Sequence, residues 1–194
     1  MRRIGLFGGT FDPPHAGHLA IAEWAREQLA LDRVLFVPAG TPPHKRGRRM
    51  SNATARVAMT RLAVRGNAAF RVSTLEAKRA GPSFTVDTLR ALRASFPGTR
   101  LFLIMGEDSL DDFRTWHEPG TIVTLATLAV ARRPGRPRTR RRPPRGVVWL
   151  DNPGLDLSSS VIRARVRARR SVHYLVPDAV AAYIARRHLY RRHA

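Results

Sequence analysis

The chain contains no cysteine in its 194 residues, which excludes disulfide bonds and thiolate metal sites and leaves nothing to argue for an oxidising compartment. The cytoplasm is the simplest expectation. Acidic residues are scarce: 14 Asp plus Glu stand against 35 Lys plus Arg, for a formal net charge of +21. Polyanions are drawn to such a surface. Nearly all of the excess is Arg, so adaptation of solubility or a bias toward Arg codons explains most of it better than nucleic-acid recognition does, and any nucleic-acid association is expected to be non-specific. Long apolar runs are missing as well. The opening MRRIGLFGG is too short in its apolar part for a signal-peptide core or a membrane span, and it reads as a first strand.

A hydrophobic content of 43% at this length supports one sizeable core, so residues 1–194 are expected to form a single domain. Ile4 to Phe7 is an apolar run ended by Gly8-Gly9, and Ala16 to Leu31 carries Leu19, Ala22, Ala25 and Leu29 at helical spacing. Val34 to Val37 follows as a second strand. A helix from Ser51 to Arg65 with Ser51 as N-cap, a strand from Phe70 to Leu75, a helix from Ser83 to Phe96 and an apolar strand from Leu101 to Met105 continue the alternation. Leu128 to Ala131 and Val147 to Leu150 read as further strands, and Ser159 to Arg169 and Pro177 to Arg187 as closing helices. The pattern predicts a doubly wound, Rossmann-like α/β fold with a mostly parallel sheet and a small C-terminal helical part, in which ligands bind beyond the carboxyl ends of the strands. Arg136 to Arg145, dense in Arg and Pro, cannot be regular structure and is expected to be a disordered polybasic loop outside the chemistry.

The sequence GGTFDPPHAGH lies at such a strand end. Gly8 and Gly9 carry no side chain, so with Thr10 their backbone can come close to an anion. His15 and His18 stand three apart at a helix start, on one face and near the positive end of the helix, which suits a phosphate. Thr10 and Asp12 either cap the turn or bind ligand. The competing readings are a structural turn with two incidental histidines, or a His-x-x-His metal pair, which no carboxylate or third histidine nearby in sequence supports. Further along, a serine cap followed by a cation, Ser159, Ser160 and Arg163, is a second helix start suited to phosphate.

These residues resemble the HxGH signature of the nucleotidyltransferase superfamily, in the GGTFDPxHxGH form of the bacterial nicotinate-nucleotide adenylyltransferase family. TPPHK at Thr41 to Lys45, GPSFT at Gly81 to Thr85, MGEDSL at Met105 to Leu110, Trp116, RRPG at Arg132 to Gly135, LSSSVIR at Leu157 to Arg163 and YLVPDAVAAYI at Tyr174 to Ile184 occur in that family's order. The resemblance implies adenylyl transfer from ATP to nicotinate mononucleotide. It implies that Gly8, Gly9, Thr10, Phe11, His15 and His18 bind ATP, with His18 facing the α-phosphate, and that Lys45 reaches the phosphates and the acceptor from the second loop. Ser159, Ser160 and Arg163 would hold the triphosphate, Gly106 and Asp108 would line the adenosine pocket, and Arg133 would lie near adenine. Trp116 would stack on the pyridine ring while the backbone around Thr85 meets its carboxylate. Mg²⁺ would be held mainly through substrate phosphates, with no protein ligand named. Four positions depart from the family pattern: Phe84 where tyrosine is frequent, Glu107 where a small or neutral residue is usual, Leu157 for isoleucine and Ser160 for threonine. The other acceptors to weigh are nicotinamide mononucleotide and phosphopantetheine, and the reading from another class is a basic nucleic-acid-binding protein whose glycine loop is structural. Oligomeric state cannot be read from these residues.

Overall fold

A computed structural model describes residues 1–40, 50–132 and 143–191. Its centre is a six-stranded sheet of β1 (Arg3–Gly9), β2 (Arg33–Pro38), β3 (Phe70–Val72), β4 (Arg100–Gly106), β5 (Thr127–Ala131) and β6 (Val148–Leu150). The order is β3-β2-β1-β4-β5-β6, and every adjacent pair is parallel. The chain therefore winds outward twice from β1, first through β2 and β3 and then through β4, β5 and β6. The crevice between the carboxyl ends of β1 and β4 is where the direction of winding reverses, the usual ligand position in such folds.

Among the described residues seven α-helices accompany the strands: α1 (Ala16–Gln28), α2 (Ala53–Ala63), α3 (Thr85–Ser95), α4 (Glu107–Asp111), α5 (Pro119–Leu125), α6 (Ser159–Arg167) and α7 (Asp178–Arg186). Buried strands present alternate residues to opposite faces. Leu101, Leu103 and Met105 accordingly join Val86, Leu89 and Leu92 of α3 and Ile122 of α5 in one core layer. Phe102 and Ile104 face the other way, with Ala22 and Ala25 of α1. A third cluster joins Met59 and Ala63 of α2 to Ile162 of α6 and Val180 and Ile184 of α7, so the C-terminal helices dock on α2.

Several boundaries differ from expectation. Asn52, not Ser51, caps α2, its side chain accepting from the Ala55 N–H at 2.8 Å, while the Ser51 N–H is given to Asp12. Ser158 caps α6 through the Val161 N–H, and Ser159 is the first helical residue. β3 stops at Val72, three residues short of Leu75. The sheet is wholly parallel among the described residues. The expected disorder of Arg136 to Arg145 falls mostly outside them.

Candidate active site

The crevice opens into a cavity of about 1020 Å³, lined at the carboxyl ends of β1 and β4 by Gly8, Gly9, Thr10 and Gly106. His15 and His18 from α1, Asp108 from α4, Thr85 from α3, Trp116, and Ser159, Ser160 and Arg163 from α6 complete its wall of expected site residues. Lys45 and Arg133 lie outside the described residues. Phe11 is not part of the cavity wall. Its backbone is left-handed, with φ 50°, and its ring is turned into the core at 1% exposure. The ring meets His18 edge-on, centroids 5.0 Å apart, and so supports a wall residue while standing outside the wall.

His15 is the N-cap of α1 and His18 its third residue, and the two side chains take part in a reciprocal cap. Their rings stack with centroids 3.6 Å apart and 27° between planes. The His15 backbone N–H donates to His18 Nδ1 at 3.2 Å. An atom accepting that bond carries no proton, so the proton of the neutral ring sits on Nε2, a fixed donor. Two histidines at a positive helix end, one with its tautomer set, make a ready site for phosphate oxygens.

The loop leading to these histidines is gripped from distant parts of the chain. Ser159 Oγ donates to the Pro13 carbonyl at 2.9 Å and Arg163 Nη1 to the Asp12 carbonyl at 2.9 Å, while Arg163 Nη2 donates to Ser160 Oγ at 3.2 Å. The Asp12 carboxylate accepts from the Ser51 N–H at 3.2 Å and the Tyr190 hydroxyl at 2.6 Å, so it ties the turn to two distant segments. Arg56, only 1% exposed, donates to the carbonyls of Ser51, Thr10, Ala39 and Gly40. Burial lowers its pKa against the raising effect of Asp12. The loop after β1 and the loop after β2 are thereby tied to one guanidinium.

The other end of the cavity is built within residues 76–118. Thr85 is the first residue of α3, so its backbone N–H is among the helix donors left without an intrahelical acceptor, a natural partner for a carboxylate. Trp116 lines the cavity while packing on Phe113, ring centroids 5.5 Å apart, so stacking surface and core support coexist in one side chain. Phe84 lies against His117 at 4.5 Å. Ser83 Oγ is buried with no hydrogen-bond partner among the described residues, and Glu76, also buried, accepts from Thr88 Oγ1 at 2.8 Å. Burial pushes the Glu76 carboxyl up from its ordinary pKa, against the lowering effect of Thr88 and Arg79.

Arg56, Glu76, Ser83 and Tyr190 were not singled out by sequence reasoning. Arg56 had a signal, since it shares a helical face with Met59, Thr60 and Ala63, all buried. Tyr190 had none.

The family described as cytidylyltransferase-like matches residues 6–165, from β1 into α6. A probable nicotinate-nucleotide adenylyltransferase from Thermus thermophilus is 50% identical over 189 residues, covering 97% of this chain and all of the relative. The chain belongs to the nicotinate-nucleotide adenylyltransferase family. The protein of that name from Thermomicrobium roseum is 46% identical over 202 residues, covering 98% of this chain and 92% of the relative. Among solved structures, the Plasmodium falciparum nicotinic acid mononucleotide adenylyltransferase complexed with NaAD superposes with a TM-score of 0.79 at 17% identity, over 98% of each chain. At that identity the likeness is one of fold. No described helix is long and apolar enough to cross a membrane.

Proposed function

We propose that this cavity transfers the adenylyl group of ATP to nicotinate mononucleotide, yielding nicotinate adenine dinucleotide and pyrophosphate for NAD biosynthesis. The stacked His15 and His18 pair at the start of α1, beside Arg163, is the observation that carries this reading. The acceptor phosphate of such a nucleotide is largely dianionic at neutral pH, its second pKa lying near ~6, so no general base is needed. An acceptor oxygen forms its bond to the α-phosphorus as the bond to the β-phosphate oxygen breaks, and the electron pair leaves with pyrophosphate. The protein's work is then alignment and charge stabilisation. His18 offers an Nε2–H to the α-phosphate, and Arg163, Ser159 and Ser160 hold the outgoing phosphates at the start of α6. Gly106 and Asp108 border the adenosine, while Trp116 and the N-terminus of α3 take the pyridine ring and its carboxylate. A Mg²⁺ carried mainly by the phosphate oxygens would neutralise charge on the leaving group.

A cytoplasmic setting suits this reaction, and the surplus charge would give only non-specific, salt-sensitive attraction to nucleic acid. The test is a substrate panel with purified protein. Pyrophosphate release requiring ATP, nicotinate mononucleotide and Mg²⁺ together supports the reading. Preference for nicotinamide mononucleotide would reassign the acceptor, and tight DNA binding without turnover would overturn the enzyme.

A further inference from the structure

Tyr190 lies 178 positions after Asp12, yet its hydroxyl donates to Asp12 Oδ1 at 2.6 Å. Two non-glycine residues close to this contact, His188 and Tyr190 itself, have left-handed backbones with φ 51° and 63°. Such conformations persist where the surroundings over-determine them, and here they deliver one hydroxyl to one carboxylate. The Tyr190 hydroxyl also lies 3.7 Å from Met59 Sδ. Burial and the Asp12 charge both push the phenol pKa up, so it remains a protonated donor. Asp12 in turn presents its backbone carbonyl to Arg163 at 2.9 Å, and Arg163 lines the cavity. A second tie runs in parallel, from the Ala16 N–H to the Leu175 carbonyl at 2.9 Å.

We propose that Tyr190 is a positioning residue for the phosphate end of the cavity: by fixing Asp12 it sets the carbonyl that aims Arg163 at the triphosphate. The inference rests on the adenylyl-transfer reading for the identity of that ligand. The matched family region ends at residue 165, so the contact joins the shared phosphate loop to a segment outside it.

Tyr190→Phe keeps the ring and removes the donor. Three measurements decide the proposal. Calorimetric titration should show ATP affinity falling about tenfold, the scale of one hydrogen bond to a charged group, while KM for nicotinate mononucleotide stays within about twofold. In an Arg163→Ala background the same substitution should cost almost nothing, because residues acting through one another are non-additive. Amide exchange in the ligand-free protein should quicken in residues 10–17 with Tm nearly unchanged. ATP affinity within about twofold of the parent, or an equal loss with and without Arg163, overturns the proposal. So does an equal loss for both substrates accompanied by a large fall in Tm, which marks Tyr190 as fold support alone. Should the parent protein form no dinucleotide, the catalytic reading fails separately, and the exchange measurement still decides the coupling.

Discussion

The two ends of the cavity are held together over very different distances along the chain. At the phosphate end three of the contacts that fix the loop after β1 span 146, 151 and 178 positions, and two more span 39 and 46. At the acceptor end the Glu76 to Thr88 bond spans 12 positions and the Arg90 to Glu118 bond 28. On the proposed reading, geometry around the reacting phosphorus is thus a property of the whole fold, whereas the end proposed to take the ring is a local assembly of α3, α4, α5 and their connections. The first should resist change and fail broadly when cut. The second should be adjustable, with effects confined to one substrate.

The largest expected effect is on stability. Arg56→Ala removes the donor for four backbone carbonyls at once, and the structure should lose at least about 3 kcal/mol. For a chain of this size that is roughly 6–12 °C in Tm by calorimetry. A fall of only a degree or two would show that the loops after β1 and β2 do not depend on their shared cation. His18→Ala should lower turnover by about 10² or more, as when one preorganised transition-state donor is lost, with little change in Tm. Steady-state kinetics retaining near-parental turnover would remove His18 from the chemistry.

The acceptor end should respond more narrowly. Trp116→Ala is expected to weaken nicotinate mononucleotide by roughly 1 to 3 kcal/mol, the worth of stacking one base, and to leave ATP nearly untouched. Equal losses in titrations of the two substrates would make Trp116 a packing residue. The smallest effect concerns Glu76. A carboxyl whose folded pKa is raised adds stability below the ordinary carboxylate range and loses it as pH rises through the folded pKa. Glu76→Gln retains an acceptor for Thr88 and has no such proton to lose, so its Tm relative to the parent should climb from about pH 4 to about pH 7. A flat difference would show that burial does not perturb this carboxyl.

The same contrast explains what could be read from sequence. Strands and long helices were legible because their apolar residues repeat at two or at 3.6 positions, and the histidine pair was legible because three residues on a helix share a face. The helix α5 was not, since ThrIleValThrLeu between Gly120 and Ala126 merges with the apolar residues of β5. The caps of α2 and α6 were each misplaced by one residue, because adjacent Ser51 and Asn52, or Ser158 and Ser159, are equally able to cap and only the backbone turn decides. The inward turn of the Phe11 ring was not legible either, since no neighbour announces its positive φ. Contacts that depend on the return of the chain, such as Tyr190 on Asp12, leave no periodic trace.

That return also orders events during synthesis. Asp12 leaves the ribosome 178 residues ahead of the tyrosine that grips it. The early βαβ unit can pair its strands and bury its phenylalanines while the loop between them lacks its final clasp, so nucleotide affinity arrives late. On the proposed reading an unfinished chain would hold ATP less tightly than the completed molecule, and ligand would stabilise the completed molecule most.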